Sequence, residues 1–456
     1  MKLRTLFYLA ALALPGTALC QTNPAILSWL QNTAQTGTYY MQGNSTAISN
    51  GILVNCQKVE YSASSAYVHT RGVPAYPTGP FLDGNPSQAS DQNAIFKFPL
   101  SPQENTGVKT KTTGGNIGVF INGVALFDYR DGVAWNTAAN ALCGGPGNPP
   151  CPGGPGANMA WNRDAVLAER PGFDCSKGHP AQGNYHHHQN PSAYKLDIQV
   201  ISSICNLYDA DGLYVINSTQ HSPLIGFAYD GFPIYGAYGF KNTNGTGGVT
   251  RMKSGYQLRA ISLRTHHADN TDVDDGPAVS ATYPLGYFRE DYEFVAHPAD
   301  PDYLDEHNGR FCVTPEYPNG TYAYFCTVDA NHNSAYPYAV GPTFYGVYTN
   351  AKVNSVSEPT TVYAPSSVSA NVLDGLNFSV IPNPASDLLA IQAGNLVTND
   401  LEVRLLDITG KQLKETRINK GQTIAWFDVQ TLYDGIYLIK ISDGAAQKTF
   451  KVSIRH

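Results

Sequence analysis

The sequence predicts a mainly β protein, in which a large antiparallel β-rich domain is followed by a small C-terminal β-sandwich. Charged residues make up only 14% of the 456 residues, whereas Gly (43), Pro (30) and Tyr (29) are abundant. Short aromatic or β-branched runs alternate with Gly and Pro along most of the chain. Such a pattern is typical of strands joined by many turns, so we expect few helices.

The first 20 residues have the layout of a secretory signal peptide. An apolar run over residues 6–14 follows two basic residues and precedes Ala18, Leu19 and Cys20. This order predicts cleavage before Gln21. A lipid on Cys20 is the alternative, although Leu19 fits a lipoprotein signal poorly. No other apolar run approaches the roughly 20 residues needed to span a bilayer, so we expect an exported protein without a transmembrane segment.

The body of the chain, residues 23–350, reads as one β-rich domain. Weak helical patterns occur only at residues 24–35 and 159–169, and the Gly/Pro-rich stretch 144–155 predicts an exposed loop. Elsewhere short β-favouring runs predict strands at 117–121, 125–129, 194–201, 213–216, 255–261, 292–295 and 320–327.

Five of the twelve histidines fall between positions 179 and 221: His179, His186, His187, His188 and His221. On a strand, His186 and His188 share one face while His187 points to the other. Imidazole is the commonest protein ligand for metals, so two rings on one face favour a Zn or Cu site completed by His179 and His221. The alternative is a hydrogen-bonded core strand beside a Gly/Pro loop.

Seven cysteines follow the signal peptide, so at least one is free, metal-bound or intermolecular. Two pairs stand close in the sequence and favour local disulfides. Cys143 and Cys151 bracket a Gly/Pro loop, and Cys312 and Cys326 flank two predicted strands joined by a turn. A bond closing a loop of about 15 residues stabilises a fold by about 3 kcal/mol in the chain-entropy model.

The remaining cysteines lie around the histidine strand or far from it. A bond between Cys175 and Cys205 would connect the two flanks of that strand and leave Cys56 unpaired. The alternative is that Cys175 serves as a thiolate ligand to the metal.

The composition changes near residue 350. Residues 351–375 are rich in Ser, Thr and Pro and predict a linker. Residues 376–456 then form a second domain, in which short alternating segments separated by Gly-containing turns predict an antiparallel β-sandwich. These segments are 388–391, 401–407, 424–429, 436–441 and 449–454.

This tail resembles the C-terminal sorting domain of the type IX secretion system of Bacteroidetes. The matching segments are 381–385, 405–411, 432–440 and 448–455, in this order at the C-terminal end. The resemblance implies that the type IX machinery carries the chain across the outer membrane, with removal of the domain and release or surface attachment of the rest. An accessory sandwich that binds carbohydrate is the alternative.

The body resembles the YHYH domain family, named after a Tyr-His-Tyr-His strand. The corresponding segments are 116–124, 175–180, 185–188, 221–236, 304–311 and 314–325. This chain has His187 where the second Tyr is expected, so the roles of His186 and His188 carry over while that of the Tyr hydroxyl is in doubt. The resemblance implies fold and context but no settled reaction.

Charge and missing motifs exclude several functions. The net charge of −7 and the lack of a basic tract argue against nucleic acid as a partner. Metalloprotease, serine-hydrolase and nucleotide-binding motifs are absent. The acidic loop 269–276 offers carboxylates for Ca²⁺ but lacks an EF-hand frame, which favours a solvated loop.

Two functions from different classes remain. The first is a secreted or cell-surface metalloprotein that binds Cu or Zn through the histidines and carries out redox or hydrolytic chemistry. The second is a non-catalytic binding or structural protein whose His and Tyr residues belong to the β core. Metal analysis of protein purified without a metal column separates the two.

The signal peptide and the C-terminal sorting domain each predict that the chain is cleaved. We expect secreted protein to begin near Gln21 and to lose a C-terminal piece cut within or after residues 350–375. Intact-mass measurement on extracellular protein checks both losses. A full-length tail on that material would contradict the sorting-domain interpretation in its cleaved form.

Overall fold

The structure, a computed structural model, describes residues 22–82, 88–145, 147–154, 159–191, 218–364, 378–394, 399–443 and 447–456, with single residues at 205, 373, 376 and 397. The chain divides into two compact units, the first ending at Tyr363 and the second starting at Ala364. The predicted mainly β class is confirmed. The signal peptide and the strands predicted at 194–201 and 213–216 lie outside the described residues.

Short strands make up most of the first unit. In chain order they are β1 (Thr36–Tyr39), β2 (Ile48–Leu53), β3 (Cys56–Tyr61), β4 (Ser65–Thr70), β5 (Ala94–Pro99), β6 (Asn116–Phe120), β7 (Ala125–Phe127), β8 (Arg130–Asn136), β9 (Ala141–Cys143), β10 (Asn162–Asp164), β11 (Gly178–Ala181), β12 (Asn184–His187), β13 (Leu224–Ala228), β14 (Pro233–Tyr235), β15 (Tyr238–Phe240), β16 (Val249–Arg251), β17 (Tyr256–Leu258), β18 (Tyr292–Phe294), β19 (Gly309–Cys312), β20 (Thr321–Phe325), β21 (Lys352–Val353) and β22 (Thr361–Val362).

Two sheets form the centre of this unit. The larger, counted over the described residues, has eight strands in the order β11-β12-β7-β6-β13-β14-β20-β19. The second has the order β21-β5-β4-β3-β22. Most neighbouring strands run antiparallel, but β12 with β7 and β14 with β20 are parallel. The hairpin of β11 and β12 therefore lies at one edge of the larger sheet.

An aromatic core joins the inner faces of these two sheets. Trp29 lies 5.4 Å from Phe98 of the smaller sheet and 5.3 Å from Phe227 of the larger one, measured between ring centroids. Phe98 and Phe227 are themselves 5.9 Å apart, and both are fully buried. Burying such large rings is worth about 1.5–3 kcal/mol each, so this cluster fixes how the sheets pack.

Helices are short in the described part of the chain. They are α1 (Pro24–Leu27) and α2 (Ala165–Glu169), with 3₁₀ turns at Arg170–Gly172 and Arg289–Asp291. Both α-helices fall inside predicted helical segments but are shorter. In the second segment, residues 162–164 pair with β8 as strand β10, so the helix starts only after them. Among the described residues, no helix has the length and apolar character to cross a membrane.

Part of the predicted linker 351–375 forms strands of the first unit. Strand β21 pairs with β5, and β22 pairs with β3, so residues 352–362 add an edge strand to each side of the smaller sheet. The polar composition of this stretch does not reveal that its backbone pairs with the edges of a sheet. The structural boundary lies after Tyr363. A cut there would leave both edge strands with the first unit.

The second unit consists of two antiparallel sheets around one apolar core. Its strands are β23 (Phe378–Ile381), β24 (Leu388–Ala393), β25 (Leu401–Leu406), β26 (Gln412–Ile418), β27 (Ile424–Asp428), β28 (Gly435–Ser442) and β29 (Gln447–Ile454). Over the described residues the sheets run β23-β24-β27 and β26-β25-β28-β29. Strictly alternating burial in β25 shows the period of two that the sequence predicts. Strands β23 and β26 were not among the predicted segments.

Two disulfides are present among the described residues. They join Cys143 to Cys151 and Cys175 to Cys205. The first is the local bond predicted across the Gly/Pro loop. The second excludes Cys175 as a thiolate ligand, because both of its valences at sulfur are used. Cys56 is free and buried, as expected for the cysteine that remains when Cys175 pairs with Cys205.

The predicted Cys312–Cys326 bond is wrong. Both thiols are free and buried. In the hairpin of β19 and β20, Cys312 lies opposite Thr321, whereas Cys326 stands five residues further along the chain. Five strand residues span roughly 17 Å, far beyond the roughly 7 Å between Cα atoms that a disulfide tolerates. The strand register, which the sequence does not reveal, decides this.

We therefore expect Cys56, Cys312 and Cys326 to resist alkylation in the native protein and to react after unfolding without reductant. Their thiols are at most 1% exposed, and burial raises the pKa of Cys326 to about 12, which suppresses the reactive thiolate. Peptide mapping by mass spectrometry checks this, with the four bonded cysteines as internal controls. Recovery of a Cys312–Cys326 cross-linked peptide would contradict the register.

Candidate metal centre

The histidines converge because of the register of one hairpin. Strands β11 and β12 pair so that His179 lies directly opposite His186. Directly opposed residues in an antiparallel pair project to the same face. His188 stands two positions after His186 and so returns to that face. The three rings are thus brought together by backbone pairing alone.

The turn between the two strands fixes this register. Ala181 pairs with Asn184, which leaves Gln182 and Gly183 as a two-residue loop with φ values of 51° and 83°. Two positive φ angles are typical of a type I′ turn, whose twist suits a hairpin. A Cβ on Gly183 would lie 2.1 Å from the Ser90 hydroxyl oxygen, so glycine is needed there for space as well.

The ring nitrogens of the three histidines lie very close together. His186 Nε2 is 3.1 Å from His188 Nε2, and His179 Nε2 is 3.5 Å from His188 Nε2. All three side chains are buried. Their candidate ligand atoms lie within 4.8 Å of one another, so the three side chains form a group that could hold a metal ion.

Backbone carbonyls fix the orientation of two of these rings. His186 Nδ1 donates to the Asn184 carbonyl at 2.8 Å, and His188 Nδ1 donates to the Asp128 carbonyl at 2.6 Å. A carbonyl only accepts, so each Nδ1 carries the proton and each Nε2 of the neutral ring presents a lone pair. This is the arrangement in which histidines bind metals.

Burial keeps His186 neutral. Desolvation, followed by the charges of His188 and His179, holds the pKa of His186 well below its usual value. The Phe127 ring stacks on the His186 ring with centroids 3.8 Å apart and adds to this apolar shielding. A neutral imidazole at ordinary pH is ready to coordinate, since no proton must first be displaced.

A carboxylate that the sequence analysis missed faces the same point. Glu169, the last residue of α2, places Oε2 3.2 Å from His179 Nε2 and 3.1 Å from His188 Nε2. Burial raises the pKa of Glu169, but its close contacts with His179 and His188 outweigh burial and lower the pKa below its usual value. The sequence placed this residue in a helical segment, and no spacing connected it to the histidines.

The opposite face of β12 belongs to the core. His187 Nε2 lies 2.9 Å from the Tyr76 hydroxyl, and its ring packs edge-on against Tyr185 and Phe120. Burial lowers the pKa of His187 to about 3, so its ring is neutral. Strand alternation predicts this separation of His187 from its two neighbours.

His221, the fourth predicted ligand, is not brought to the other three. Its ring packs against Tyr235, Phe240 and Phe325, at centroid distances of 5.1, 4.8 and 5.9 Å. Its Nδ1 donates to the Ser222 carbonyl at 2.7 Å. The structure thus brings together three of the four predicted ligands. His221 is close to the other histidines in the sequence. It lies just before β13, however, and β13 is separated from β12 by two other strands of the sheet.

The acidic loop 269–276 does not form a comparable group. Within the described part of the chain, the group of three or more metal-ligating side chains that comes together is His179, His186 and His188. Asp269 instead accepts a hydrogen bond from the Thr271 amide, and exposed Asp272 pairs with His266 at 3.4 Å. The loop is therefore a solvated turn, as the sequence favours.

The histidines and Glu169 line a cavity of about 1000 Å³. Its wall also carries Phe127, two arginines and several tyrosines. Ligand pockets typically enclose about 300–1,000 Å³, so the space is sufficient for a small organic molecule next to the histidines.

Comparison with known proteins agrees with both sequence resemblances. A family model described as YHYH protein matches residues 95–336, more than half of the chain. A model described as a secretion system C-terminal sorting domain matches residues 379–455, inside the second unit. No curated protein gives a significant match. The first match covers the three clustered histidines and Glu169.

Asp174 holds the histidine hairpin in place, and its replacement should loosen that hairpin. Its two carboxylate oxygens accept from the amides of Gly79, Ser176 and Gly178 at 3.0, 2.9 and 3.1 Å and from the Tyr185 hydroxyl at 2.8 Å. In Asp174→Asn, one acceptor becomes an NH₂ group that faces these donors. We expect a loss of about 1–3 kcal/mol in the free energy of unfolding.

Urea titration followed by circular dichroism measures this loss. Asp269→Asn is the matched control, because Asp269 is exposed and asparagine also forms its turn. We expect that variant to stay within about 0.5 kcal/mol of the parent. Equal stability of the two variants would show that Asp174 does not hold the hairpin.

Proposed function

Because the chain belongs to the YHYH protein family and ends in a secretion sorting domain, we propose that it is a secreted or cell-surface metalloprotein. Its metal ligands are His179, His186 and His188, with Glu169 as the fourth. The first unit holds the ion, and the second directs export.

The sorting domain indicates secretion or a cell-surface location. We propose the type IX secretion machinery as the partner of this domain, with the N-terminal segment serving as the signal peptide for the inner membrane. Cleavage at the boundary between the two units, after Tyr363, would be compatible with this export route, because each unit has its own apolar core.

One observation carries the metal assignment. His186 Nε2 and His188 Nε2 are 3.1 Å apart, and both rings donate their Nδ1 proton to a carbonyl. In neutral rings the two Nε2 lone pairs then face each other, which is repulsive unless a cation lies between them. Glu169 adds a negative charge at the same point. A bound cation satisfies all of these groups together.

The spacing of the donors supports zinc. Ligands held about 2.0–2.1 Å from a tetrahedral ion lie about 3.3–3.4 Å from one another. Four of the six separations among these ligand atoms, two between histidine nitrogens and two to Glu169 Oε2, are 3.1, 3.5, 3.2 and 3.1 Å, and the ligand atoms of His179 and His186 lie within 4.8 Å of each other. Cu²⁺ prefers a flatter, tetragonal arrangement. We therefore propose Zn²⁺, with copper as the competitor in the test.

The position of the centre supports a role beyond stabilising the fold. His179, His186, His188 and Glu169 all line the cavity, so a ligand entering it meets the metal side chains directly. Zinc held by these side chains would supply Lewis-acid chemistry at the cavity wall. The protein's own groups hold the nitrogens in place through Asp128 and Asn184 and shield one ring with Phe127.

We expect replacement of His179, His186 or His188 by Ala to remove the metal, and His187→Ala and His221→Ala to retain it. The first three side chains converge on one point, whereas His187 and His221 lie elsewhere. Elemental analysis of protein purified without a metal column gives the metal content and its identity.

Thermal melting with added Zn²⁺ or Cu²⁺ provides a second readout, because an ion that binds only the native state raises the Tm. For Glu169→Gln we expect a 10- to 100-fold lower zinc affinity, since a weaker oxygen donor remains. A parent protein that contains no metal after exhaustive dialysis and whose Tm is indifferent to both ions would assign the histidines to the core and favour the non-catalytic alternative.

A further inference from the structure

Two arginines line the same cavity as the histidines, and neither uses its full hydrogen-bonding capacity. Arg130 and Arg289 are both on the cavity wall. Their side chains are only 12% and 11% exposed. A guanidinium has five N–H donors, and buried donors without partners are costly.

Both arginines are anchored from behind by one carboxylate. Asp128 Oδ1 accepts from Arg130 Nε at 2.9 Å and lies 3.6 Å from Arg289 Nη1. Arg289 also lies over the Tyr129 ring, 5.0 Å from its centroid, and its Nε is 3.5 Å from Glu290. These contacts hold the planes of the two guanidinium groups without occupying their terminal nitrogens.

The terminal nitrogens of both guanidiniums have no hydrogen-bond acceptor in the part of the chain that the structure describes. Arg289 Nη1 is fully buried, and its contact to Asp128 at 3.6 Å is too long for a hydrogen bond. Glu290 approaches Arg289 at Nε, at 3.5 Å, and its two oxygens accept from Asn162. Two forked cations side by side are suited to an oxyanion, which can accept from both.

Asp128 connects this pair to the metal centre. Its carbonyl accepts from His188 Nδ1 at 2.6 Å, while its carboxylate contacts both arginines. The arginines and His188 are therefore separated by a single residue. A small molecule with its anionic group on the arginines can place another part next to the histidines.

Part of the cavity wall is aromatic. Phe127 covers His186, and the rings of Tyr292 and Tyr336 stack in parallel with centroids 4.1 Å apart. All three line the cavity. Flat aromatic surfaces favour a flat or apolar ligand body.

We propose that the cavity binds an organic carboxylate, with its carboxylate on Arg130 and Arg289 and a flat apolar body along Phe127, Tyr292 and Tyr336. The assignment names the substrate class of the metal centre and in that respect rests on the proposed function. The anion contact itself involves no metal ligand, so it is measured separately.

Calorimetric titration of the full chain with benzoate tests the proposal, and benzamide serves as its neutral counterpart. We expect benzoate to bind at least tenfold more tightly than benzamide. Arg130→Gln and Arg289→Gln should each weaken benzoate binding at least tenfold, whereas Arg289→Lys should retain part of it. Arg71→Gln is the matched control, because Arg71 pairs with Asp91 at the surface and does not line the cavity.

A carboxylate can also bind a metal directly, so the titration is repeated on His186→Ala. Benzoate affinity within threefold of the parent in that variant, together with the loss in the arginine variants, supports the proposal. Loss in His186→Ala with no change in the arginine variants would overturn it and place the carboxylate on the metal. Equal binding of benzamide would also overturn it.

Phenyl phosphate distinguishes the kind of anion. Tighter, arginine-dependent binding of phenyl phosphate than of benzoate would overturn the carboxylate assignment in favour of a phosphate. Metal content is measured on each sample. A metal-free parent that still binds benzoate through the arginines would refute the metal centre and leave the anion site standing. Circular dichroism confirms that each variant is folded, and Arg289→Lys remains informative if Arg289→Gln does not fold.

Discussion

The candidate site depends on the register of one β-hairpin. A two-residue turn with two positive φ angles places His179 opposite His186, and the period of a strand then returns His188 to the same face. A slip by one residue would send His186 into the core and bring His187 to the cavity. Asp174 opposes such a slip, because its four hydrogen bonds hold both strands of the hairpin to the surrounding loops.

One face of this hairpin packs in the core, and the other carries the three clustered histidines. Tyr185 and His187 are fully buried against aromatic side chains, so the strand cannot rotate without losing core contacts. That rigidity keeps the rings of His186 and His188 close even though their lone pairs repel. In the proposed function, a cation between them would convert this local cost into binding energy. The proposed metal centre and the core at this edge of the sheet would then stabilise each other.

Asp128 contacts both the proposed metal centre and the proposed anion site. Its carbonyl orients His188, and its carboxylate positions Arg130 and Arg289. Because both sets of contacts lie on one residue, a ligand held by the arginines would have a defined position relative to the three histidines. Glu169 approaches from a different element, α2, so the proposed centre is completed by a helix that packs against β8 and β10.

The sequence by itself determined what depends on local periodicity and composition: the mainly β class, the sorting tail, the Cys143–Cys151 loop and the separation of His187 from its neighbours. Contacts between distant segments depended on the tertiary structure. Strand order places His221 away from the other three histidines, and hairpin register places Cys312 out of reach of Cys326. Glu169 joined the histidines only through the packing of α2. Strand order, register and helix packing are set by the burial of side chains from the whole core, which no local pattern encodes.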